Sequence, residues 1–408
     1  MEAIFSAAAD LISSAEADLS VKGKAFCDQL TAEQWKAVRV RNISAQDVDA
    51  LEELASNPHF SDKPHSRQRI YELAKIGKIG HAMATGLPIS QVAEELKEDI
   101  RNGVNTPSAY ALLGACSLAN QDYELGIYYF NRANHISART HCVTSFMSLS
   151  RAIPSFAALN SDEGNRFSAE LTYVGDVNKF DSEVVSVVAG NSLYINRFIE
   201  NYARSLAENS HGVFGGIHLH WVKDPGEEDT AIEIALSLAK THLPDINLTV
   251  EAIADIQDKK SYYAQARFLI ARRLSAFYKK PLMITDLDFQ LCADPREAIK
   301  KLALIDVSFL QASQASIMWT FPWLRSMAGS VWVNNTATAR EFFRLVEHGF
   351  DACFNPSWFN WGIDQNLLTT VLEHFKRTGH INFASMSAVA DDPLYTVPTA
   401  LKAGVKSQ

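Results

Sequence analysis

The chain has 408 residues, of which 47% are hydrophobic and 21% charged, the composition of a globular protein with a sizeable core. This composition excludes a disordered chain, a collagen-like repeat and a small disulfide-stapled domain. With 38 basic against 47 acidic residues, the net charge of −9 disfavours a protein that binds nucleic acid through its phosphates. The length predicts two or three domains.

The cysteines and the N-terminal charges indicate the compartment. The 5 cysteines are scattered without a C-x-x-C pair, a pattern typical of free thiols and not of a zinc ribbon. Acidic residues precede the first basic residue, Lys22, whereas a secretory signal begins with positive charge. The uncharged run from Val307 to Leu324 contains glutamines and a proline and is too polar to span a bilayer. The sequence therefore predicts a cytoplasmic protein without a membrane span.

Residues 1–165 predict an all-α domain of helical hairpins, because apolar residues recur there at helical spacing and no β-branched alternation occurs. Between residues 107 and 137 the spacing resembles a tetratricopeptide repeat. In such a repeat Gly114 and Gly126 would let two helices approach closely. A single repeat cannot bury its own faces, so a helical hairpin of no special family is the alternative.

The chain becomes polar after Ser161, and residues 166–182 are predicted to be a linker, 183–395 a second domain and 396–408 a tail. In the second domain, short β-branched apolar runs alternate with helical patterns. This alternation predicts an α/β fold with a mostly parallel sheet covered by helices on both faces. Strands are predicted at residues 183–189, 213–222, 246–250 and 281–291, and a long helix at residues 261–278.

An Asp-x-Asp sequence lies in the last of these strands. Because side chains alternate along a strand, Asp286 and Asp288 are predicted to point the same way while Leu287 points into the core. Two carboxylates this close repel each other unless a cation or a hydrogen-bond donor lies between them. Open α/β sheets bind ligands at the carboxyl ends of their strands, and Mg²⁺ and Mn²⁺ prefer oxygen ligands. The pattern predicts a divalent-cation site, with a pair of solvated acids in a turn as the alternative.

The order of the motifs resembles a known family. The strand 183–189, the helix with Ala266-Arg267-Phe268, the segment 284–288 and Asp364-Gln365 follow one another as in the nucleotide-diphospho-sugar glycosyltransferases of the GT-A fold. The resemblance covers residues 183–391, roughly half of the chain. It implies a GT-A, Rossmann-like sheet and the metal-dependent transfer of a sugar, most often from a UDP-linked donor, to an acceptor.

The same resemblance implies which residues bind the nucleotide sugar. Ala189, Gly190 and Asn191 would lie beside the base, and Tyr194 would stack near it. Asn334, where a later strand is predicted to run into a helix cap, would contact the sugar. Asn191 also has a plainer interpretation as a helix cap.

The resemblance further implies which residues act on the phosphates and the sugar. Asp286 would approach the ribose or sugar hydroxyls, and Asp288 would ligate the Mn²⁺ or Mg²⁺ that bridges the phosphates, so both are assigned to the metal site. Arg267 would point at the pyrophosphate or the sugar. Asp364 and Gln365, the expected catalytic pair, would lie on the acceptor side of the anomeric carbon. The alternatives are that Asp364 is the N-cap of the following helix and that Arg267 is a surface residue paired with an acid.

Histidines and aromatic residues give weaker signals. His218 and His220 alternate on one predicted strand without a third ligand nearby, so they are interpreted as structural. Members of the family often use a late histidine as an extra metal ligand, and His374 and His380 are the candidates, although neither lies in a recognisable motif. The aromatic cluster at residues 358–361 is either a wall for stacking a sugar or, more commonly for such clusters, buried core.

The helical domain would recognise a protein acceptor, dock a partner or form a homo-oligomer. One alternative function is a non-catalytic helical-repeat adaptor with a degenerate nucleotide-sugar-binding domain. Another is a phosphotransferase of the haloacid-dehalogenase type with Asp286 as nucleophile, but that class needs a threonine-like residue where Gln290 stands.

Overall fold

The computed structural model describes residues 64–104, 106–136, 153–159, 171–253, 256, 258–314, 316–355, 362–390 and 393–397. Its contacts divide the chain into two compact units, Met1–Leu149 with Ala312–Arg325, and Ser150–Gln311 with Ser326–Gln408. The segment Ala312–Arg325 therefore belongs to the first unit, although it connects two strands of the second. The sequence pattern did not indicate that this segment belongs to the first unit.

The first unit is helical throughout its described part. Its elements are α1 (Pro64–Thr85), α2 (Ser90–Arg101), α3 (Pro107–Ala119) and α4 (Tyr123–Ile136), followed by a 3₁₀ turn (Ile317–Thr320) and a four-residue helix (Pro322–Arg325). The predicted all-α hairpins are confirmed for these residues. Within the parts of the chain that the structure describes, no helix combines the length and the apolar character that crossing a bilayer requires.

The hairpin of α3 and α4 depends on two glycines. A Cβ atom on Gly114 would lie 2.7 Å from Cε1 of Phe130, and one on Gly126 would lie 1.9 Å from Cδ1 of Leu118. Any larger residue at either position would collide with its neighbour. The expected close approach at these glycines is confirmed. The assignment to tetratricopeptide repeats stays a prediction, since the positions after residue 136 that would continue the repeat lie outside the described residues.

The second unit is an α/β domain. In chain order its elements are α5 (Phe156–Leu159), β1 (Thr172–Val174), β2 (Val184–Gly190), α6 (Ser192–Asn209), β3 (Phe214–Lys223), α7 (Glu233–His242), β4 (Ile246–Ala252), α8 (Lys259–Leu269), α9 (Ala271–Tyr278), β5 (Leu282–Thr285), β6 (Gln290–Leu291), α10 (Arg296–Leu302), β7 (Val307–Gln311), β8 (Ser326–Val333), α11 (Ala337–Cys353), α12 (Ile363–Thr378), β9 (Phe383–Ser385), α13 (Met386–Val389) and β10 (Tyr395–Thr396). Eight strands form one sheet in the order β1-β4-β3-β2-β5-β8-β7-β9. Within this order β4, β3, β2 and β5 are parallel to one another. Strand β8 is antiparallel to both of its neighbours, β5 and β7. The α/β class with a largely parallel central sheet is confirmed.

Strand β2 lies at the centre of two hydrophobic cores. All of its residues are buried, as its continuous β-branched run predicts. Val185 and Val187 pack with α8, α9, α11 and α12 on one face of the sheet. Val184 and Val188 pack with α6 and α7 on the other. Helices therefore cover both faces, and ligands can reach the central strands only at their ends.

Three predicted boundaries differ from the structure. The predicted linker contains β1, which pairs with β4 but is too short and exposed to show an apolar pattern. The predicted helix 261–278 is two helices that meet at Ile270. The predicted strand 281–291 is interrupted after Thr285 by a turn, in keeping with the preference of aspartate for turns.

Candidate active site

Polar residues collect where the four parallel strands of the second unit end. Asn191 follows β2, Asp224 follows β3, Glu251 lies near the end of β4, and Asp286 follows β5. Because β4, β3, β2 and β5 run in the same direction, all four residues lie at one edge of the sheet. This is the edge at which open parallel sheets bind their ligands.

The Asp-x-Asp segment forms a turn at this edge. The amide of Asp286 donates to the carbonyl of Gly329 on the neighbouring strand (2.9 Å), and the amide of Phe289 donates to the carbonyl of Asp286 (3.2 Å). Leu287 is buried, as expected, while Asp288 is half-buried. The expected strand geometry is wrong here, because the chain leaves the extended conformation at Asp286.

Arg267 lies at the centre of the acidic residues. Its side chain is 4% exposed, its Nη1 forms an ion pair with Oδ1 of Asp286, and its Nη2 lies 3.9 Å from Oδ2 of Asp364. Nη2 also donates to the carbonyl of Ala328 at 3.0 Å. The interpretation of Arg267 as a surface residue is wrong, whereas its pairing with an acid is confirmed. One buried guanidinium thus faces two carboxylates.

The carboxyl group of Asp286 ionises with difficulty. Burial raises its pKa to about 6, and the charges of Asp288 and Asp364 act in the same direction, against the opposing effect of Arg267. Burial also raises the pKa of Asp364. Two carboxylates thus face a single guanidinium, and the charge of a third, Asp288, acts on Asp286. An additional positive charge at this place would stabilise the ionised acids.

Helix α6 begins beside these acids. The side chain of Asn191 accepts a hydrogen bond from the amide of Tyr194 at 3.1 Å, which confirms its interpretation as a cap. The hydroxyl of Tyr194 donates to Oδ2 of Asp288 at 3.2 Å, and burial raises the pKa of this phenol, so it remains a donor. Ala189 and Gly190 end β2 directly before the cap. The structure thus brings these four residues to the edge that holds Asp288.

The expected catalytic pair, Asp364 and Gln365, lies in the first turn of helix α12. The helix starts at Ile363 after Gly362, whose φ of 82° places it in the left-handed region that glycine adopts without strain. Asp364 is therefore not the N-cap, and that interpretation is wrong. Asp364 is buried in the first turn, where it accepts from the amide of Gln365 at 2.9 Å and faces Arg267.

Asn334 does not join the cluster. Because β8 is antiparallel to β5, with Val333 opposite Leu282, Asn334 lies at the edge opposite to Asp286. Its Nδ2 donates to the carbonyls of Ala303 at 2.9 Å and of Ile305 at 3.1 Å. The expectation that Asn334 contacts the sugar is corrected by the direction of its strand.

The two candidate histidine ligands, His374 and His380, do not lie in this cluster of acids either. His374 lies on α12 about 15 Å along the helix axis from Asp364, and its ring packs 5.8 Å from that of Phe156. His380 follows the end of the same helix. Neither histidine supplies the extra metal ligand that the family resemblance implies. The aromatic cluster at residues 358–361 lies outside the described residues.

His218 and His220 form a chain of hydrogen bonds inside the sheet. Nδ1 of His218 lies 2.9 Å from the hydroxyl of Tyr278, and Nε2 of His218 and Nδ1 of His220 each lie 2.9 Å from Oγ1 of Thr249. Nε2 of His220 lies 3.2 Å from Oε2 of Glu251. Burial lowers the pKa of His218 well below its usual range. All four ring nitrogens have protein partners, which confirms the structural interpretation.

A second polar group beside Asn191 was missed by the sequence analysis. The hydroxyl of Tyr263 donates to both carboxylate oxygens of Asp224 at 2.7 Å, and Nζ of Lys259 lies 2.9 Å from Oδ1 of Asp224. One signal was available, because Asp224 follows β3 directly, just as Asp286 follows β5.

The acids of the turn fit a hard divalent cation that is also bound by a ligand. In the part of the chain that the structure describes, no group of three His, Cys, Asp or Glu side chains could hold a metal ion alone. Oδ1 of Asp286 is paired with Arg267 and Oδ2 of Asp288 accepts from Tyr194, so Oδ2 of Asp286 and Oδ1 of Asp288 remain for a cation. Mg²⁺ and Mn²⁺ usually combine one or two carboxylates with water and phosphate oxygens.

Comparisons with known proteins give only distant similarities. No family model matches the chain, and no curated protein matches it. It is similar to the mouse xyloside xylosyltransferase 1 structure (11% identity, 50% of this chain and 84% of that one, TM-score 0.31). It is also similar to the bifunctional glycosyltransferase WbbM (16% identity, 49% of this chain and 39% of that one, TM-score 0.31) and to the glycosyltransferase GlyE of Streptococcus pneumoniae (15% identity, 50% of this chain and 45% of that one, TM-score 0.30). The similar part thus spans less than half of the length of the last two proteins.

Proposed function

We propose that this chain is a metal-dependent glycosyltransferase that takes a sugar from a nucleotide-diphospho-sugar, of the UDP-linked class, and passes it to an acceptor. The observation that carries the proposal is the pairing of Arg267 with Asp286 and Asp364, with the charge of Asp288 acting on Asp286, at the edge where the parallel strands end. The order of the sequence motifs supports the same activity. The helical unit would recognise a protein acceptor.

The charges of the site suit a diphosphate only together with a cation. Three carboxylates repel a phosphate, and the single guanidinium of Arg267 does not balance them. Mn²⁺ or Mg²⁺, held through Oδ2 of Asp286 and Oδ1 of Asp288, would attract both phosphates and stabilise the charge that develops on the leaving diphosphate.

The surrounding residues would orient the donor. The hydroxyl of Tyr194 donates to Oδ2 of Asp288, which would leave the other carboxylate oxygen to hold the cation. Ala189, Gly190 and Asn191 end β2 on the side where the nucleoside would lie. Arg267 keeps Asp286 ionised, so that it can act as a ligand near neutral pH.

Asp364 would act on the acceptor. Breaking the bond between the anomeric carbon and the phosphate oxygen leaves positive character on the sugar, which a nearby carboxylate stabilises. The incoming hydroxyl must also lose its proton, and burial raises the pKa of Asp364, which makes it a better proton acceptor than an exposed aspartate. Gln365, the next residue of α12, would orient the same substrate.

The test is calorimetry of UDP binding with Mn²⁺ and with EDTA, together with the rate of sugar transfer or of donor hydrolysis. Asp288→Asn should lower the metal-dependent rate by roughly 10²–10⁴-fold. Asp229→Asn is the matched control, because Asp229 is 94% exposed and pairs only with Lys223 among the described residues. Absence of metal-dependent heat with UDP and with GDP would contradict the proposal and favour a non-catalytic adaptor.

A further inference from the structure

Helix α8, which carries Arg267, is attached to the ligand-binding edge at three places. Each attachment joins the helix to an acid at the end of a different parallel strand. Strands β3, β4 and β5 each contribute one acid. The pairs are Tyr263 with Asp224, Tyr262 with Glu251, and Arg267 with Asp286.

The first attachment is a hydrogen bond to a charged acceptor. The hydroxyl of Tyr263 lies 2.7 Å from both oxygens of Asp224, and Nζ of Lys259 lies 2.9 Å from one of them. Burial opposes the ionisation of Asp224, but the hydrogen bonds from Lys259 and Tyr263 outweigh it and lower the pKa. Such charge-assisted bonds are stronger than neutral ones.

The second attachment ends on an acid that the sheet itself holds. The hydroxyl of Tyr262 donates to Oε1 of Glu251, while Nε2 of His220 lies 3.2 Å from Oε2. The other ring nitrogen of His220 lies 2.9 Å from Oγ1 of Thr249. Burial opposes the ionisation of Glu251, but His220 and Tyr262 outweigh it and lower the pKa. The carboxylate is thereby fixed in place.

The positions of the tyrosines on α8 suit them to control the helix. Tyr263 and Arg267 are four residues apart and lie on one face, whereas Tyr262 lies about 100° around the axis from Tyr263. Ala266 and Phe268 are fully buried, but apolar packing is not directional and leaves small rotations and translations open. Hydrogen bonds from the hydroxyls of Tyr262 and Tyr263, which lie on different sides of the helix, would restrict both the rotation and the translation of α8.

We propose that Tyr262 and Tyr263 are positioning residues that act through Arg267, because they fix helix α8 where its guanidinium meets Asp286. The inference rests on the proposed function, in which the pair of Arg267 and Asp286 prepares the cation site. Neither tyrosine needs to touch the donor for this role.

The first test is a double-mutant cycle read out as the affinity for UDP with Mn²⁺. Tyr263→Phe should weaken binding by about tenfold, the size expected for one hydrogen bond to a charged group, and Tyr262→Phe by about threefold. In the Arg267→Lys background each tyrosine substitution should change the affinity less than about twofold, because coupled residues are not additive. Equal factors in both backgrounds would overturn the proposal and leave Tyr263 acting through its neighbour Asn191.

A second measurement needs no nucleotide. The NMR signal of the Arg267 Nε–H group, assigned by its loss in Arg267→Lys, should shift in Tyr262→Phe and in Tyr263→Phe. Tyr278→Phe is the matched control, because this buried hydroxyl, on α9, bonds to His218 and Asn247 and to no acid of the described residues. An unmoved signal in both α8 variants would overturn the inference. If wild-type protein failed to bind UDP with Mn²⁺, the proposed function would be contradicted. The NMR signal would still decide whether the two tyrosines fix the position of Arg267.

Discussion

The hairpin of α3 and α4 is stabilised in a different way from the edge of the sheet that holds Asp286. In the hairpin, Gly114 and Gly126 leave no room for a Cβ atom, and Phe130 and Leu118 fill the space. At the edge, position is set by charge-assisted contacts, such as the pair of Arg267 and Asp286. Shape complementarity specifies the first region, and charge and hydrogen-bond direction specify the second.

The difference shows where stability and ligand binding are separable. Dispersion and the burial of apolar surface stabilise a structure most when its atoms are closely packed. The hairpin therefore tolerates little added volume. In the proposed function, acids close to one guanidinium repel one another in the ligand-free state, and this repulsion would favour the binding of a cation. Substitutions in the hairpin should therefore change the free energy of unfolding, and those at the edge should change ligand affinity.

The largest effect is expected in the hairpin. In Gly126→Ala the new Cβ would lie 1.9 Å from Cδ1 of Leu118 and 3.2 Å from the carbonyl of Gly114, so the side chain of Leu118 must move and the contact with the backbone of α3 becomes tight. We expect the free energy of unfolding to fall by about 1–3 kcal/mol in chemical denaturation. Gly80→Ala is the control, because its Cβ would lie 3.9 Å from the nearest side chain. That control should be neutral or slightly stabilising, and equal losses in both variants would refute the role of close packing.

The next effect concerns the turn of the two acids. A Cβ atom on Gly329 would lie 2.6 Å from Cζ of Phe289 and 3.1 Å from Oδ2 of Asp286. Gly329→Ala should displace the turn and weaken binding of UDP with Mn²⁺ by roughly ten- to a hundredfold, about 1.4–2.7 kcal/mol. Calorimetry measures this loss, with Gly80→Ala again as the control. Unchanged affinity would show that the position of the turn does not matter for binding.

The pH dependence should be smaller. Burial raises the pKa of Asp286 to about 6, so a proton competes with Mn²⁺ below that pH, and Mn²⁺ affinity should fall about tenfold per pH unit. Electron paramagnetic resonance of Mn²⁺ in the presence of UDP measures this affinity, and the part of the pH dependence that comes from Asp286 should be absent in Asp286→Asn. In the ligand-free protein the sign is opposite. The folded state holds this proton more tightly than the unfolded chain, so the contribution of Asp286 to stability increases as the pH falls from about 7 to about 4.

The smallest effect is expected at Asn334, on the opposite edge. Asn334→Ala removes hydrogen bonds to the carbonyls of Ala303 and Ile305 and should cost about 0.5–1.5 kcal/mol of stability. Affinity for UDP with Mn²⁺ should not change. Asn191→Ala is the contrasting variant, since it removes a helix cap at the binding edge and should lower both quantities. A loss of affinity in Asn334→Ala would contradict the placement of the site.

Several features followed from local patterns. The run that forms β2 is continuously apolar and β-branched, so it was recognisable as a strand buried on both faces. The two acids could be placed after β5 because apolar residues lead directly into them. The close approach at Gly114 and Gly126 could be expected because the spacing between residues 107 and 137 resembles a tetratricopeptide repeat. In each case the pattern lies within a short stretch of the chain.

Other features depend on partners far away in sequence. The contact of Arg267 with Asp286 joins a helix to the following strand, and no local pattern indicates that this arginine is buried. The start of α12 depends on the left-handed conformation of Gly362, which moved Asp364 from the expected cap into the first turn. The segment Ala312–Arg325 belongs to the first unit, and the largely uncharged composition of this stretch did not indicate that assignment.

By itself the sequence determined several of the core strands, such as β2, β3 and β4, because the pattern of apolar residues within each strand indicates its burial. It also determined that two acids follow a buried strand. Only the tertiary structure decided which polar residues share an edge, because strand direction is set by pairing between distant segments. Asn334 is at the far edge for this reason, and Asp224 and Glu251 are at the near one. Electrostatic energies depend on such distances in space, which separation along the chain does not specify.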